Sequence, residues 1–284
     1  MIAAQVEKTN SSSNIGKLLL DNGKLDSAQA EKVLLLQKEE GIRFGEAAIR
    51  LGYISEADIQ QVLALQFSYP YLQKGQSKLS PSLVAAYDPF DKIVEEVRCL
   101  RSQILLRWIS LGHKSVLIAS CDEVAGELIA NLAIVFSQLG EKTLLVDANL
   151  RQPHQHDLFG LQNRQGFSEV LAGRVPIQTA IQHVEGLLDL SVLTAGTKAP
   201  NPQELLSKGD MGEFTAELES IYDVILYDAP PSAKAADVQL LAARTKGVIL
   251  VAVRHKTSLK DLAQLRDQCE MAGAEVLGCV LLGS

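Results

Sequence analysis

Short, continuously apolar runs punctuate the second half of the chain: residues 115–119 (SVLIA), 143–147 (TLLVD), 190–193, 224–228 (VILYD), 248–253 and 276–281. Runs of this length with no polar alternation suit strands buried on both faces of a sheet. Helical periodicity fills the intervals at 129–138, 202–221 and 258–272. Alternation of this kind predicts an α/β fold with a mostly parallel sheet covered by helices on both sides. Ligands on such sheets bind beyond the carboxyl ends of the strands. Two of those ends carry a carboxylate, Asp147 and Asp228, and Ala229-Pro230-Pro231 stops the second strand and stiffens its turn.

The first seventy residues follow another rhythm. Sliding the chain by 29 positions superposes Gly16 on Gly45, Leu20 on Ile49, Gly23 on Gly52, Leu25 on Ile54, Ala28 on Ala57 and Gln37 on Gln66. Each copy reads as a short helix, a glycine stop and a longer helix opened by Asp26 or Ser55, whose side-chain oxygens suit an N-cap. The positions Ala30, Val33, Leu34 and Gln37, then Ile59, Val62, Leu63 and Gln66, fall at helical spacing and predict one buried stripe per copy. A small all-helical repeat domain is therefore expected over 1–72. The polar stretch QKGQSKLSPS from Gln73 predicts a linker, taken as 73–88, ahead of a second domain over 89–284.

Composition narrows the function classes. The 34 acidic residues outnumber 27 basic ones, for a formal net charge of -7, which argues against a nucleic-acid polymer as partner. Apolar stretches fall far short of the roughly 18 residues of a membrane span, and the N-terminus lacks a secretory signal. A cytoplasmic protein with no span of its own is expected. Cys99, Cys121, Cys269 and Cys279 are widely separated, so free thiols are expected rather than a zinc knuckle or disulfide framework.

Several motifs carry a resemblance. LLVDANLRQP (144–153) resembles the second Walker A-type motif of the bacterial tyrosine kinases, and YDAPP (227–231) resembles their Walker B. Asn131-Leu132-Ala133, SQLGEKTLL, TAGTKAPNPQELL from Thr194 and Asp237 follow in that family's order. Residues 96–104 (EVRCLRSQI) are similar to the helix through which these kinases form rings, which makes Glu96, Arg98 and Arg101 candidate oligomer contacts; a solvated helix face is the other reading. The N-terminal repeat resembles the domain of type II secretion and MshE-type pilus ATPases that binds cyclic di-GMP. Its matching positions are Arg43, Gly45 and Gln66, whereas Asn14 stands at the first arginine position. A protein-docking domain that keeps only the scaffold is the alternative there. Taken whole, the chain is similar to the EpsG-type, chain-length-determinant-associated kinases of exopolysaccharide clusters. That resemblance implies a MinD/ParA-like P-loop fold with ATP and Mg as cofactors. It also implies a membrane-embedded chain-length determinant as partner at the inner membrane, and assembly with itself or with an active kinase paralogue.

The phosphate loop departs from the family. A working loop needs glycines whose N–H groups wrap phosphates, a lysine that follows the charge, and a hydroxyl on magnesium. Residues 120–128 read SCDEVAGEL, which places Val124 at the preceding glycine, Ala125 at the lysine and Gly126 at the Ser/Thr position; Glu127 follows. Asp122 and Glu123 add negative charge where a nucleotide would bring its own. Asn149 replaces the second aspartate of the Asp-x-Asp-Leu-Arg motif, and Leu282 replaces the asparagine that relatives use at adenine. Tyr227 is the last tyrosine in the sequence, so no C-terminal tyrosine cluster of the family's kind is expected.

Two readings follow. One is a kinase homologue without catalysis, a pseudokinase acting as a regulatory or assembly module, with Asp147 and Asp228 kept as strand-end caps. The other is an active autokinase with Asp147 as base, Asp228 on magnesium, and Lys114 or Lys142 replacing the lost lysine. Asn149, Arg151 and Asn201 complete the expected nucleotide site; Arg151 as a partner of Asp157 is the bland alternative. His154 and His156 form an H-x-H pair that reads as surface histidines.

Overall fold

The computed structural model describes residues 15–56, 58–59, 62, 71–72, 77–122, 125–208, 211–231 and 236–283. The chain divides into two compact units, Met1–Pro70 and Tyr71–Ser284.

In the first unit, residues 15–21 are helical, followed by helices Ser27–Glu40 and Phe44–Arg50. Both expected caps form. Asp26 accepts from the Gln29 N–H at 2.7 Å while the Gln29 side chain accepts from the Asp26 N–H at 3.0 Å, and Ser55 Oγ accepts from the Asp58 N–H at 3.3 Å. Leu19, Ala30, Val33, Phe44, Ala47 and Val62 make the core. Leu34, expected in the stripe, is instead 54% exposed. The helix turns Ala30 and Val33 inward, and a residue only one position past Val33 is rotated about 100° away from it. The first glycine of each copy is a packing position, since a Cβ on Gly16 would meet the Phe44 ring at 3.3 Å and one on Gly45 would meet Ile59 Cδ1 at 2.6 Å, whereas Gly23 and Gly52 take φ of +66° and +70° in open space. Asn14, Leu63 and Gln66 lie outside the described residues.

The second unit is built on a seven-stranded sheet, in the order β3-β4-β2-β5-β1-β6-β7. Its strands are β1 (Ser115–Ser120), β2 (Thr143–Asp147), β3 (Ile181–His183), β4 (Leu190–Leu193), β5 (Val224–Asp228), β6 (Gly247–Val253) and β7 (Glu275–Leu282). All neighbours are parallel except the edge pair β3 and β4. The six apolar runs all became strands. β3 is too short and too polar, as Ile-Gln-His, to show in the pattern. Period-two alternation divides the core. Val116, Ile118, Leu145 and Leu226 face the helices Lys92–Arg107 and Ala125–Ser137, whereas Leu117, Ala119, Leu144, Val146, Ile225 and Tyr227 pack with Leu218, Leu241 and Leu265 on the other side. Burying a leucine- or valine-sized side chain contributes about 1.5–3 kcal/mol, so the sheet's two faces carry most of this unit's stability.

The segment expected as a linker does not behave as one where it is described. Leu79, Leu83, Ala85 and Ala86 are buried in the second unit, and Val84–Tyr87 is a helical turn. Asn131 fixes it, accepting from the Ala85 N–H at 2.9 Å and donating to the Ser82 carbonyl at 3.1 Å. Polar letters at 73–82 concealed these anchors, because Leu79 and Leu83 are buried in a core assembled from segments distant in sequence. Within 202–221 the described helices are Pro202–Lys208 and Met211–Ile221.

Candidate functional site

The parallel register of β2 and β5 sets Asp147 directly beside Asp228 at the carboxyl edge of the sheet. Both are buried, at 0% and 1% exposure. Asp147 accepts three backbone N–H bonds: Asn149 to Oδ1 at 3.2 Å, and His154 and Gln155 to Oδ2 at 3.2 and 3.1 Å. It therefore closes the turn after β2 as a strand-end cap. Burial, joined by the charge of Asp228, pushes its carboxyl well above the ordinary aspartate range despite those bonds. Burial also raises Asp228, against the opposing pull of His154 and the Gln155 amide.

Two neighbours that the sequence left without a role complete this centre. Gln155 is wholly buried. Its Nε2 donates to Asp228 Oδ2 at 2.6 Å and to the Gly126 carbonyl at 3.1 Å, bridging β5 to the start of helix Ala125–Ser137. His154, expected at the surface, lays its ring on Gly126, where an added Cβ would lie 1.5 Å from Nε2. The same Nε2 stands 3.7 Å from Asp228 Oδ2. His156 turns elsewhere, toward Asp157 at 3.5 Å, so the H-x-H pair does not converge. Among the described residues, no group of three metal-ligating side chains forms.

The loop leading into that helix is acidic. Glu127 is exposed in the first helical turn, where a carboxylate favours the helix dipole and opposes an approaching phosphate. Asp122 accepts from the Thr257 hydroxyl at 2.5 Å and pairs with Lys256 at 3.5 Å. Glu123 and Val124 lie outside the described residues. Neither substitute lysine reaches this edge. Lys114 precedes β1 and donates to the Glu219 and Tyr222 carbonyls at 2.6 and 3.0 Å, while Lys142 precedes β2. Both sit at the amino edge of the sheet, about 15–20 Å away at 3.3 Å per strand residue.

Asn149 and Arg151 line a cavity of about 300 Å³ with Gln152, Lys198, Pro202 and Pro230. Asn201 is exposed and does not line it. The Asn149 side chain accepts from the Gln152 N–H at 3.1 Å. Arg151 is committed within the fold: it pairs with Asp237 through two bonds of 2.8 and 3.1 Å rather than with Asp157, and this pairing raises its pKa further. The cavity wall is held by Glu169, which the sequence gave no reason to single out. Burial pushes its carboxyl up, but bonds from the Thr197 hydroxyl, the Gly166 N–H and the Ser168 hydroxyl outweigh that and leave it below the usual range. This clamp explains Gly196 in TAGTKAP, whose φ of +83° and open Cα admit the Glu169 carboxylate.

The candidate interface and N-terminal residues are placed separately. Glu96 is exposed on helix Lys92–Arg107, Arg98 meets Glu95 at 3.3 Å, and Arg101 donates inward to the Val135 carbonyl at 2.8 Å. Arg101 thus joins two helices of its own chain. Arg43 is exposed at the N-cap of Phe44–Arg50, and the burial of Gly45 is accounted for by Ile59. Leu282 is half-buried at the end of β7, its carbonyl accepting from the Arg254 N–H at 2.9 Å. Tyr227 is wholly buried inside β5, and burial raises its phenol.

Comparison with known proteins agrees with this architecture. No family model matches the chain. Over 209 residues the chain is 34% identical to tyrosine-protein kinase YwqD of Bacillus subtilis, covering 73% of this chain and 88% of that one. Over 212 residues it is 34% identical to the putative tyrosine-protein kinase CapB of Staphylococcus aureus, covering 74% and 92%. The solved kinase domain of Escherichia coli ETK matches with a TM-score of 0.69 and 30% identity, over 76% of this chain and 85% of that one. MinD from Pyrococcus horikoshii, solved with Mg-ADP, shares the fold at a TM-score of 0.51 and 24% identity, over 60% and 70%. With two kinases at this identity aligned over nearly their whole length, and a P-loop-type sheet carrying paired aspartates at its carboxyl edge, the chain belongs to the bacterial tyrosine-kinase family.

Proposed function

We propose that this chain is a phosphotransfer-silent member of the family, a pseudokinase that serves as a regulatory or assembly module of a capsular or exopolysaccharide system. One observation carries the reading: the loop has lost its own lysine and hydroxyl positions, and among the described residues Lys256 beside it is paired with Asp122 while Lys198 lines the neighbouring cavity. Ala125 and Gly126 stand at the family's lysine and hydroxyl positions, Lys114 and Lys142 lie at the opposite edge of the sheet, and Arg151 is held by Asp237. A lost lysine contact costs a charge-assisted bond of about 1.5–3 kcal/mol, and Glu127 adds repulsion. The polysaccharide setting is supported by a Klebsiella pneumoniae relative, 27% identical over 232 residues, described as a putative tyrosine-protein kinase in the cps region. Its partner in this reading is a membrane-embedded chain-length determinant, which would hold it at the inner membrane; no described helix is long and apolar enough to cross a membrane.

Thermal melting with ATP, with and without Mg²⁺, tests the reading. A ligand at 100 times its dissociation constant adds about 2.7 kcal/mol to stability. That is about 5–10 °C for a unit of this size. The expected result is no shift, and no transfer of labelled γ-phosphate to the chain. A clear Mg²⁺-dependent shift with ATP refutes it and restores the active-kinase alternative.

A further inference from the structure

We infer that His154 and Gln155 plug the divalent-cation position of this fold from within, so that the site is closed by the protein's own side chains and not merely weakened by missing ones. The inference deepens the pseudokinase reading and rests on it for its functional meaning, but its geometry stands independently. In P-loop proteins the magnesium ion is held between the loop's Ser/Thr and a strand-end aspartate. Here those positions are Gly126 and Asp228, and the space between them is filled. Gln155 Nε2 donates to both the Gly126 carbonyl and Asp228 Oδ2 with a single nitrogen. The His154 ring covers the Cα of Gly126, so a side chain there requires the ring to swing out of the site.

The amide is turned the wrong way for the ion, its Oε1 lying buried without a hydrogen-bond partner and its nitrogen toward the aspartate. Magnesium takes six oxygen ligands at 2.0–2.1 Å in near-ideal octahedral geometry. The atom facing Asp228 Oδ2 is an amide N–H₂, a donor that repels a cation and occupies the lone pair a metal-bound water would use. The plug is latched by its own backbone, because the N–H groups of the same two residues bind Asp147 Oδ2. Turning the side chains aside would free Asp228 but leave Asp147 engaged. Residues 126 and 154 are therefore complementary: the glycine at one leaves the Cβ space that the imidazole of the other occupies.

A double-mutant cycle and a binding series test this. Gly126→Ala is expected to lower the melting temperature clearly, and Gly126→Ala with His154→Ala to recover most of that loss without any nucleotide present. In the second series, Ala125→Lys/Gly126→Thr restores the loop alone, and a four-site variant adds His154→Ala and Gln155→Ala. Mg²⁺ with ADP is titrated by calorimetry, and Mn²⁺ by electron paramagnetic resonance. Binding is expected to be at least about tenfold tighter in the four-site variant than in the two-site one. The plug is overturned if Gly126→Ala melts like wild type, or if both loop-restored variants bind Mg²⁺ and ADP equally. Wild-type binding of Mg²⁺ with ATP would instead refute the pseudokinase reading, while the nucleotide-free cycle would still report on the plug.

Discussion

Replacing Asp228 with asparagine should stabilise the second unit at neutral pH. Asp147 and Asp228 are register partners on adjacent strands, which lie about 4.8 Å apart. At an effective dielectric of about 20, two unit charges at that separation would repel by about 3 kcal/mol, an upper bound that the raised carboxyls relieve in part by holding a proton. Against this, Asp228→Asn turns the charge-assisted bond from Gln155 into a neutral one, a loss of about 1 kcal/mol. A net gain of at most about 2 kcal/mol remains. Its pH dependence follows from the raised pKa of both groups. Stability tied to a raised carboxyl is fully present below the ordinary aspartate value of about 3.9 and is lost as pH rises through the folded value. Wild type therefore loses stability over that window, and the variant escapes part of the loss. The difference between them should be near zero at about pH 4 and reach at most about 4–8 °C at neutral pH. Trp108 gives the assay, since it is the single tryptophan, lies buried in this unit and donates to the Ser115 carbonyl at 2.9 Å. A variant less stable than wild type at neutral pH, or a gap that does not change with pH, would sink the argument that repulsion dominates this centre.

Arg151→Met should cost about 2–3 kcal/mol in urea denaturation read by Trp108. It strands Asp237, which is 1% exposed, and the usual cost of breaking a buried pair is reduced here because the arginine is partly exposed. Adding Asp237→Leu should recover part of the loss, and equal stability of the single and double variants would count against a buried pair. Gly166→Ala should destabilise by more than about 2 kcal/mol, since its Cβ would lie 2.2 Å from the Thr194 carbonyl oxygen and 2.4 Å from the Gly196 nitrogen, both rigid backbone. Gly45→Ala should cost about 1 kcal/mol or less in the first unit, followed by far-ultraviolet circular dichroism, because it meets only the flexible end of Ile59. If the two glycines proved equally costly, backbone rigidity would not be the deciding term.

Much of the architecture was legible from local pattern. Continuous apolar runs mark strands because a strand buried on both faces has no position left for a polar side chain, and all six such runs lie in the sheet. Asp26 and Ser55 announced helix starts because an N-cap needs only a side-chain oxygen and the N–H three residues on. The two strand-end aspartates and the altered loop at 125–126 were readable for the same reason: each is defined within a few residues of chain. Periodicity fixes which way a side chain leaves its element, not what it meets. Arg151 with Asp237, Asn131 with Ala85 and Glu169 with Thr197 are pairs separated by 86, 46 and 28 positions, and no local rule selects among such partners. Local pattern offers His154 only as half of a surface H-x-H pair and gives Gln155 no role. Only the folding of β2, β5 and helix Ala125–Ser137 onto one edge brings their side chains between Gly126 and Asp228, where close packing turns a missing hydroxyl into a filled position.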